Sequence, residues 1–315
     1  MHLPIVDLAD ALNEGAPEKR RAAKDIRAAA QTSGFFYVVN HGIPEALVAQ
    51  QFDVAAQFFR LPTDLKQKVA ANVGDAKWGY EAIGSQRLDE AANVDLKESF
   101  QFGMAYPPDH PYMRKRYPMY RETAWPESLP QFKSTCIAYY DAVANLSKKL
   151  LQLIAISLDL NESYFSAFNE NPSDSLRLLW YPPHPTSADA HTFGAGSHTD
   201  WGALTILAQD AIGGLEVQML DGTWVAATPV AGAFVVNLGD MMPRWTNGLY
   251  RSNHHRVINR NGHDKDRQSV AYFADLDVEA TIEPIPHLIP TAGGGAFAPC
   301  TVGDHLAEMY RRTYG

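Results

Sequence analysis

Cysteine is nearly absent from this chain. Cys136 and Cys300 are the only two, and they form no CxxC pair. A disulfide framework is therefore excluded as the organising device. The scarcity points to a reducing compartment, read here as the cytoplasm. No uninterrupted apolar run approaches the roughly 20 residues needed to span a bilayer. The start, Met1-His2-Leu3-Pro4-Ile5-Val6-Asp7, has neither the basic opening nor the apolar stretch of a signal peptide. No membrane partner is expected. Positive charge is also in deficit: 27 Lys and Arg stand against 36 Asp and Glu, a net charge of −9. That balance argues against a nucleic-acid partner. One basic cluster, Arg114-Lys115-Arg116, sits among Tyr and Pro and reads as a solvated loop. Linkers, internal repeats and low-complexity tracts are missing too. Gly293-Gly294-Gly295 lacks a following Lys-Ser/Thr, so it reads as a turn and not as a phosphate cradle.

What is present is ordinary globular material. The chain has 315 residues, 46% hydrophobic and 20% charged, enough for a large core. Leu3 to Leu8 reads as a short strand. Pro17 opens a helix that runs to about Ser33 and is closed by Gly34, the expected asymmetry of helix ends. Gly34 to Asn40 reads as a buried strand, aromatic and β-branched. A second helix begins at Pro44, with Val48, Phe52, Ala55 and Phe59 on one face. Pro62 ends it, and Thr63 can cap a short third helix. Residues 72–128 are irregular except for a strand over Lys97–Gly103. A long helix follows from about Pro130 to Leu158, some 40 Å of it.

From Ser175 the texture changes to short apolar runs separated by Gly, Pro, Asn and Asp. Leu176–Tyr181, Ala203–Gln209, Gly214–Gln218, Ala233–Leu238, His255–Asn259 and Gln268–Ala274 read as strands. A double-sheet jelly roll accounts for them. The expected fold is mainly β with flanking helices around a double-stranded β-helix (jelly-roll) core. The expected division is an N-terminal helical and strand region over 1–170, the core over 171–280, and a tail with a helix capped by Thr301 over 281–315.

Ser197-His198-Thr199-Asp200-Trp201-Gly202 carries the chemistry. On an extended backbone His198 and Asp200 share a face, which sets a nitrogen beside a carboxylate oxygen. A His-x-Asp triplet alone is weak evidence. Here the pair stands at the mouth of the apolar run Ala203–Leu207, where an unpaired carboxylate is costly and a metal is one way to satisfy it. A turn or N-capping aspartate is the plain alternative. Further on lie His254 and His255. Neighbouring residues of a strand point to opposite faces, so at most one of them can join the pair. Two histidines and one carboxylate leave half a metal's coordination sphere open, as in non-haem Fe(II) oxygenases. The same donors suit zinc, but no general-base glutamate motif of a zinc hydrolase accompanies them. His184 and His191 lie in a Pro-rich loop and read as solvent-facing, and His263, His287 and His305 have no partner at ligand spacing. Twelve residues past His255, Arg267 and Ser269 share a strand face and make a grip for a carboxylate. Asp264 and Asp266 offer Arg267 a surface ion pair instead.

Taken together, these stretches resemble the Fe(II)/2-oxoglutarate-dependent oxygenases, in the branch related to isopenicillin N synthase and the plant flavonoid and gibberellin oxygenases. The resemblance covers nearly the whole chain. It includes Gly34 to Ile43, Arg177 to Pro182, His198 with Asp200, Val236 to Asp240, Trp245 to Gly248, His255-Arg256-Val257 and Arg267-Gln268-Ser269. It implies that His198, Asp200 and His255 ligate Fe(II). It implies also that Arg267 and Ser269, with the Tyr181 hydroxyl, bind the far carboxylate of 2-oxoglutarate. O₂ would be the second cosubstrate, with succinate and CO₂ released as a small organic metabolite is hydroxylated, desaturated or cyclised. Many plant members carry asparagine where Leu179 stands here, so one polar contact near the cosubstrate is missing.

The alternative within enzymes is an Fe(II) oxidase of the isopenicillin N synthase type, which makes no succinate. A non-catalytic jelly-roll binding protein should lack part of the triad. Strand alternation turns Arg177 and Leu179 to the same side as Tyr181, so Arg177 either anchors an acidic or phenolic substrate or sits in a structural ion pair. Tyr80, Phe100, Phe102, Trp201 and Phe273 are candidate apolar walls, with core packing as their other reading. Such a pocket suits a small acidic or aromatic molecule.

Overall fold

A computed structural model describes residues 2–12, 16–71, 77–115, 117, 119–185, 191–258, 265–290 and 297–314. Two sheets face each other. The larger has eight strands, in the order Ile5–Asp7, Phe35–Val39, Phe234–Leu238, Leu204–Gln209, Arg267–Ala274, Ser175–Tyr181, Glu98–Gly103 and Tyr80–Glu81. The smaller has four, in the order Trp224–Ala226, Leu215–Gln218, His255–Val257 and Ala195–His198. Pairing is antiparallel throughout these two sheets except between Ile5–Asp7 and Phe35–Val39. This is the double-stranded β-helix arrangement. Four strands of its larger sheet come from the first 170 residues.

The pleat sorts the side chains of the large sheet into two cores. Phe36, Val38, Leu178, Ile206, Val236 and Tyr272 point outward. They pack under three helices, Ala16–Thr32, Glu45–Phe59 and Pro130–Ser157. The last has 28 residues, about 42 Å at 1.5 Å each, and braces the sheet along its length. Phe35, Tyr37, Leu179, Tyr181, Val235 and Ala271 point inward and meet Ala195, Leu215, Val217 and Val257 of the small sheet. The inner core is thinner because it surrounds a cavity. Among the described residues no helix is long and apolar enough to cross a membrane.

Local chemistry explains most element ends. Gly34 follows the first long helix at φ +68°, where an added Cβ would collide with the Arg251 carbonyl. Pro44 precedes the second with extended backbone, and Pro130 opens the third from its first turn. The Thr301 hydroxyl accepts from the Asp304 N–H at 3.0 Å and caps the C-terminal helix Val302–Tyr314. Thr63 behaves otherwise. It is the first residue of its short helix, Pro62 holds the cap position, and no side chain caps it. The short strands Ala195–His198 and Trp224–Ala226 escape a propensity reading because Ala-Gly-Ser-His and Trp-Val-Ala show no sustained alternation. The strand at His255 ends at Val257, and Asn259 lies outside the described residues, as do Arg116, His263, Asp264 and Gly293-Gly294-Gly295.

Three expected pocket walls are core instead. Tyr80, Phe100 and Phe102 are 4%, 0% and 2% exposed and belong to the outer core. Phe100 packs between Phe58 and Phe132, each 5.0 Å away by ring centroids, and Phe102 packs on Trp125 at 4.9 Å. The Tyr80 hydroxyl donates to Glu98 at 2.6 Å, where Lys66 also pairs at 2.6 Å. The reason is strand parity. Phe100 pairs with Leu178, whose side chain is outward, whereas Gln101 pairs with Arg177. Phe100→Ala should therefore lower stability by roughly 3–5 kcal/mol in urea denaturation. It should leave ligand affinity in the inner cavity unchanged, and a stable variant with altered binding would return Phe100 to the pocket wall.

Candidate metal centre

His198 ends the strand Ala195–His198, and Asp200 stands two residues past it in a turn. The pair is thus divided between a strand end and the turn after it. His255 opens its own strand and is the direct cross-strand partner of His198. That pairing brings the two imidazoles to 4.2 Å between ring centroids, tilted at 50°. The Nε2 atoms of His198 and His255 lie 3.8 and 3.6 Å from Asp200 Oδ1. The three donors fall within 4.8 Å of one another, a span that one metal ion can bridge. His254, just before that strand, meets the Ser197 hydroxyl at 3.3 Å instead.

Every donor is aimed by a second contact. His198 Nδ1 lies 2.7 Å from the Gly196 carbonyl, and His255 Nδ1 lies 3.3 Å from the Asn253 carbonyl. A carbonyl only accepts, so each Nδ1 carries the proton and each Nε2 turns a lone pair inward. Asp200 Oδ2 accepts from the Thr205 hydroxyl at 2.5 Å and from Asn237 Nδ2 at 2.7 Å, which leaves Oδ1 for the metal side. Burial first, then the neighbouring His255, holds the His198 imidazole well below its ordinary value despite the pull of Asp200. Burial alone would raise Asp200, but the two imidazoles and the bonds from Asn237 and Thr205 outweigh it and keep it below the usual carboxylate range. A neutral His198 imidazole beside an ionised Asp200 carboxylate is the charge state that a divalent metal needs.

Two segments of the site are tied together by Asp240. It accepts from the Thr199 hydroxyl at 3.0 Å and from the Ser252 hydroxyl at 2.6 Å, and its N–H donates to the Asp200 carbonyl at 2.8 Å. Gly239 beside it lies so close to the Gly202 carbonyl that a Cβ would not fit. The stretch Val236 to Asp240 therefore clamps both metal-side turns.

The donors open into a cavity of about 1150 Å³, its mouth included. Arg267, Ser269 and Tyr181 line one end. Arg267 pairs across the sheet with Tyr181 and lies over its ring at 4.7 Å. The guanidinium is 0% exposed, so a surface ion pair is excluded. Its Nε donates to the Gly213 carbonyl at 2.6 Å, and its terminal nitrogens reach Ser269 Oγ at 3.2 Å and Gln209 Oε1 at 3.4 Å. Among the described residues no carboxylate pairs with it.

Arg177, Leu179, Trp201 and Phe273 also line the cavity. Arg177 forms an ion pair with Glu81, and its Nε donates to Ser99 Oγ at 3.0 Å. Sequence reasoning missed Asn237, Thr205, Lys97, Gln101 and Asp275. Lys97 forms a buried pair with Asp95, and burial brings its ammonium down to about 8 against the opposing pull of that carboxylate. Parity could have found Gln101, one position from the rejected Phe100 and Phe102.

The chain matches two family models. Residues 3–128 match the non-haem dioxygenase in morphine synthesis N-terminal family, and residues 168–275 match the 2OG-Fe(II) oxygenase superfamily. It is 38% identical over 322 residues to the 2-oxoglutarate-dependent dioxygenase citB of Monascus ruber, with 99% of this chain and 96% of that protein covered. It is 34% identical over 317 residues to the 2-oxoglutarate-Fe(II) type oxidoreductase hxnY of Emericella nidulans, covering 99% and 90%. The crystal structure of a full-length Neurospora crassa protein in complex with alpha-KG superposes with a TM-score of 0.87 at 30% identity, covering 98% of this chain and 96% of that one. The chain belongs to the 2OG-Fe(II) oxygenase superfamily. It is a 2-oxoglutarate-dependent dioxygenase, with Fe(II) as its metal and 2-oxoglutarate and O₂ as cosubstrates.

The outer contacts carry a prediction. Asn237→Leu should weaken Fe(II) binding about tenfold to a hundredfold, because Asp200 loses one of its two aiming bonds. Chelator competition measures this, and an unchanged affinity would show that Asn237 does not aim the ligand.

Proposed function

We propose that His198, Asp200 and His255 hold the Fe(II), and that Arg267, Ser269 and Tyr181 grip the far carboxylate of 2-oxoglutarate. The first assignment is supported by two Nε2 lone pairs and one carboxylate oxygen converging from separately braced segments. The observation that carries the second is a fully buried guanidinium that no acid pairs with among the described residues. A charge held away from water calls for a counter-charge, and the cavity end beside it is where an anion fits. Ser269 Oγ and the Tyr181 ring complete a cradle on one side of that end.

Bound Fe(II), 2-oxoglutarate and O₂ supply oxidation of a substrate C–H bond, with 2-oxoglutarate converted to succinate and CO₂. The chain's own residues orient and enclose. Leu207, Leu215, Val257 and Ala271 wall the cosubstrate end and keep bulk water from it. No side chain acts as a general base in this scheme. The centre lies in segment 171–280, with 1–170 supplying Lys97 and Gln101 to the wall and 281–315 supplying Leu306 and Tyr310.

The substrate is a small molecule, and we read it as partly aromatic, bounded by Leu179, Trp201 and Phe273. The same Neurospora crassa protein, crystallised with alpha-KG and thymine, supports a ligand of that size. Arg177 would meet an acidic substrate only by giving up Glu81. Two reduced thiols, Cys136 and Cys300, support a cytoplasmic setting.

Anaerobic addition of Fe(II) and 2-oxoglutarate should produce a weak visible charge-transfer band. His198→Ala and Asp200→Ala should each abolish it. Arg267→Ala should raise the 2-oxoglutarate concentration needed for the band at least tenfold. An unchanged requirement would remove Arg267 from the cosubstrate site.

A further inference from the structure

The strand Arg267–Ala274 spans the cavity from end to end. Its inward residues are Arg267, Ser269, Ala271 and Phe273, and the alternation continues one step past the strand to Asp275. Eight residue steps of extended chain separate Arg267 from Asp275, about 27 Å. One face of one strand thus carries a cation at the cosubstrate end, a small residue at mid-cavity, an aromatic wall, and a carboxyl at the far end.

That carboxyl differs from the other charged groups around it; Trp78 Nε1 on the same lining also has no hydrogen-bond partner among the described residues. Arg177 is paired with Glu81, and Lys97 with Asp95. Gln101 Nε2 donates to Ser175 Oγ at 3.1 Å, and Ser173 Oγ donates to the Leu276 carbonyl at 2.8 Å. Asp275 gives its backbone N–H to Asp174, but among the described residues its carboxyl has no hydrogen bond and no cation. Burial, then the carboxylates of Asp174 and Asp200, push its proton affinity well above the ordinary aspartate value. Gly202, in the turn that carries Asp200, has no Cβ to collide with Asp275 Oδ1. The carboxyl therefore sits directly against the metal turn and faces the cavity.

We propose that Asp275 is a specificity-determining residue and that the substrate is a neutral, planar heterocycle donating a ring N–H to its carboxyl. The inference rests on the oxygenase reading and deepens it. A carboxyl accepts an N–H whether or not it is protonated, so the contact does not depend on its charge. The cations of the wall are already neutralised, which removes the need for an acidic substrate. Trp201 and Tyr310 meet edge to face at 5.3 Å beside the same chamber, and Phe273 flanks it, so a flat ring has walls to lie against. An unpaired carboxyl in such a place discriminates strongly, because a ligand without the donor leaves it stranded.

Calorimetric titration of the anaerobic Fe(II)- and 2-oxoglutarate-loaded enzyme tests this with matched probes. These are indole and 1-methylindole, 2-pyridone and its N-methyl form, uracil and 1,3-dimethyluracil, with phenol as the hydroxyl donor. At least one N–H member should bind ten or more times tighter than its N-methylated counterpart. Asp275→Leu and Asp275→Ala should each erase that preference, and Asp275→Asn, whose amide oxygen still accepts, should keep part of it. If no N–H member is preferred, if either apolar variant keeps the preference, or if phenol binds as tightly as every N–H probe, the inference is overturned. Failure of the wild type to take up Fe(II) and 2-oxoglutarate in the loading step would instead overturn the oxygenase reading.

Discussion

The structure depends on one buried carboxylate. Asp200 is 7% exposed, beside two imidazoles, at a point where two sheets converge. Removing such a group from water is costly unless its oxygens are all engaged. Asn237 and Thr205, from the large sheet, engage one of them. The other is left to a metal, together with histidines from two strands of the small sheet. Closure of the two sheets and assembly of the centre are therefore the same event. Asp240 reinforces the closure by holding the Thr199 and Ser252 segments at a common point.

Around that centre the protein settles its charges in two ways. On the wall formed with the first 170 residues, each cation has an acid: Lys97 has Asp95 and Arg177 has Glu81. Asp95 does a second job by accepting from the Gly196 N–H at 2.9 Å, while the Leu96 N–H donates to the Phe193 carbonyl at 3.0 Å. The segment that closes the cavity is thus bonded to the approach of the strand that carries His198. Arg267 and Asp275, at opposite ends of one strand face, lack such partners among the described residues. Unmatched groups in a cavity wall mark where ligands supply what the chain does not.

Much of this was legible from local pattern. Short apolar runs bounded by turn residues set the strands at Leu176–Tyr181 and Ala233–Leu238, and helical period with proline and glycine punctuation set the helices beginning near Pro17, Pro44 and Pro130. Residue type and spacing marked His198, Asp200, Arg267 and Ser269. Long-range pairing was not legible. Phe100 and Phe102 look like a pocket wall in sequence, yet their register against Leu178 and Leu176 turns them into the outer core. A shift by one residue would have reversed that outcome. Nor did Asn237 announce its task, since an asparagine inside an apolar strand gives no sign of which carboxylate it will meet.

By itself the sequence determined which residues can ligate a metal, which strand face carries Arg267 and Ser269, and the class of oxidation chemistry. The first two follow from side-chain type and from periodicity over a few residues, and the third from the resemblance of motifs spread over nearly the whole chain. The resemblance had already picked His255 over His254, and strand register places it opposite His198; the tertiary structure alone decided that Arg177 is tied to Glu81, and that the Asp275 carboxyl faces the cavity without a partner among the described residues. Each of these depends on the register between strands far apart in the chain, and register is fixed by the packing of two whole sheets, which no short stretch of residues contains.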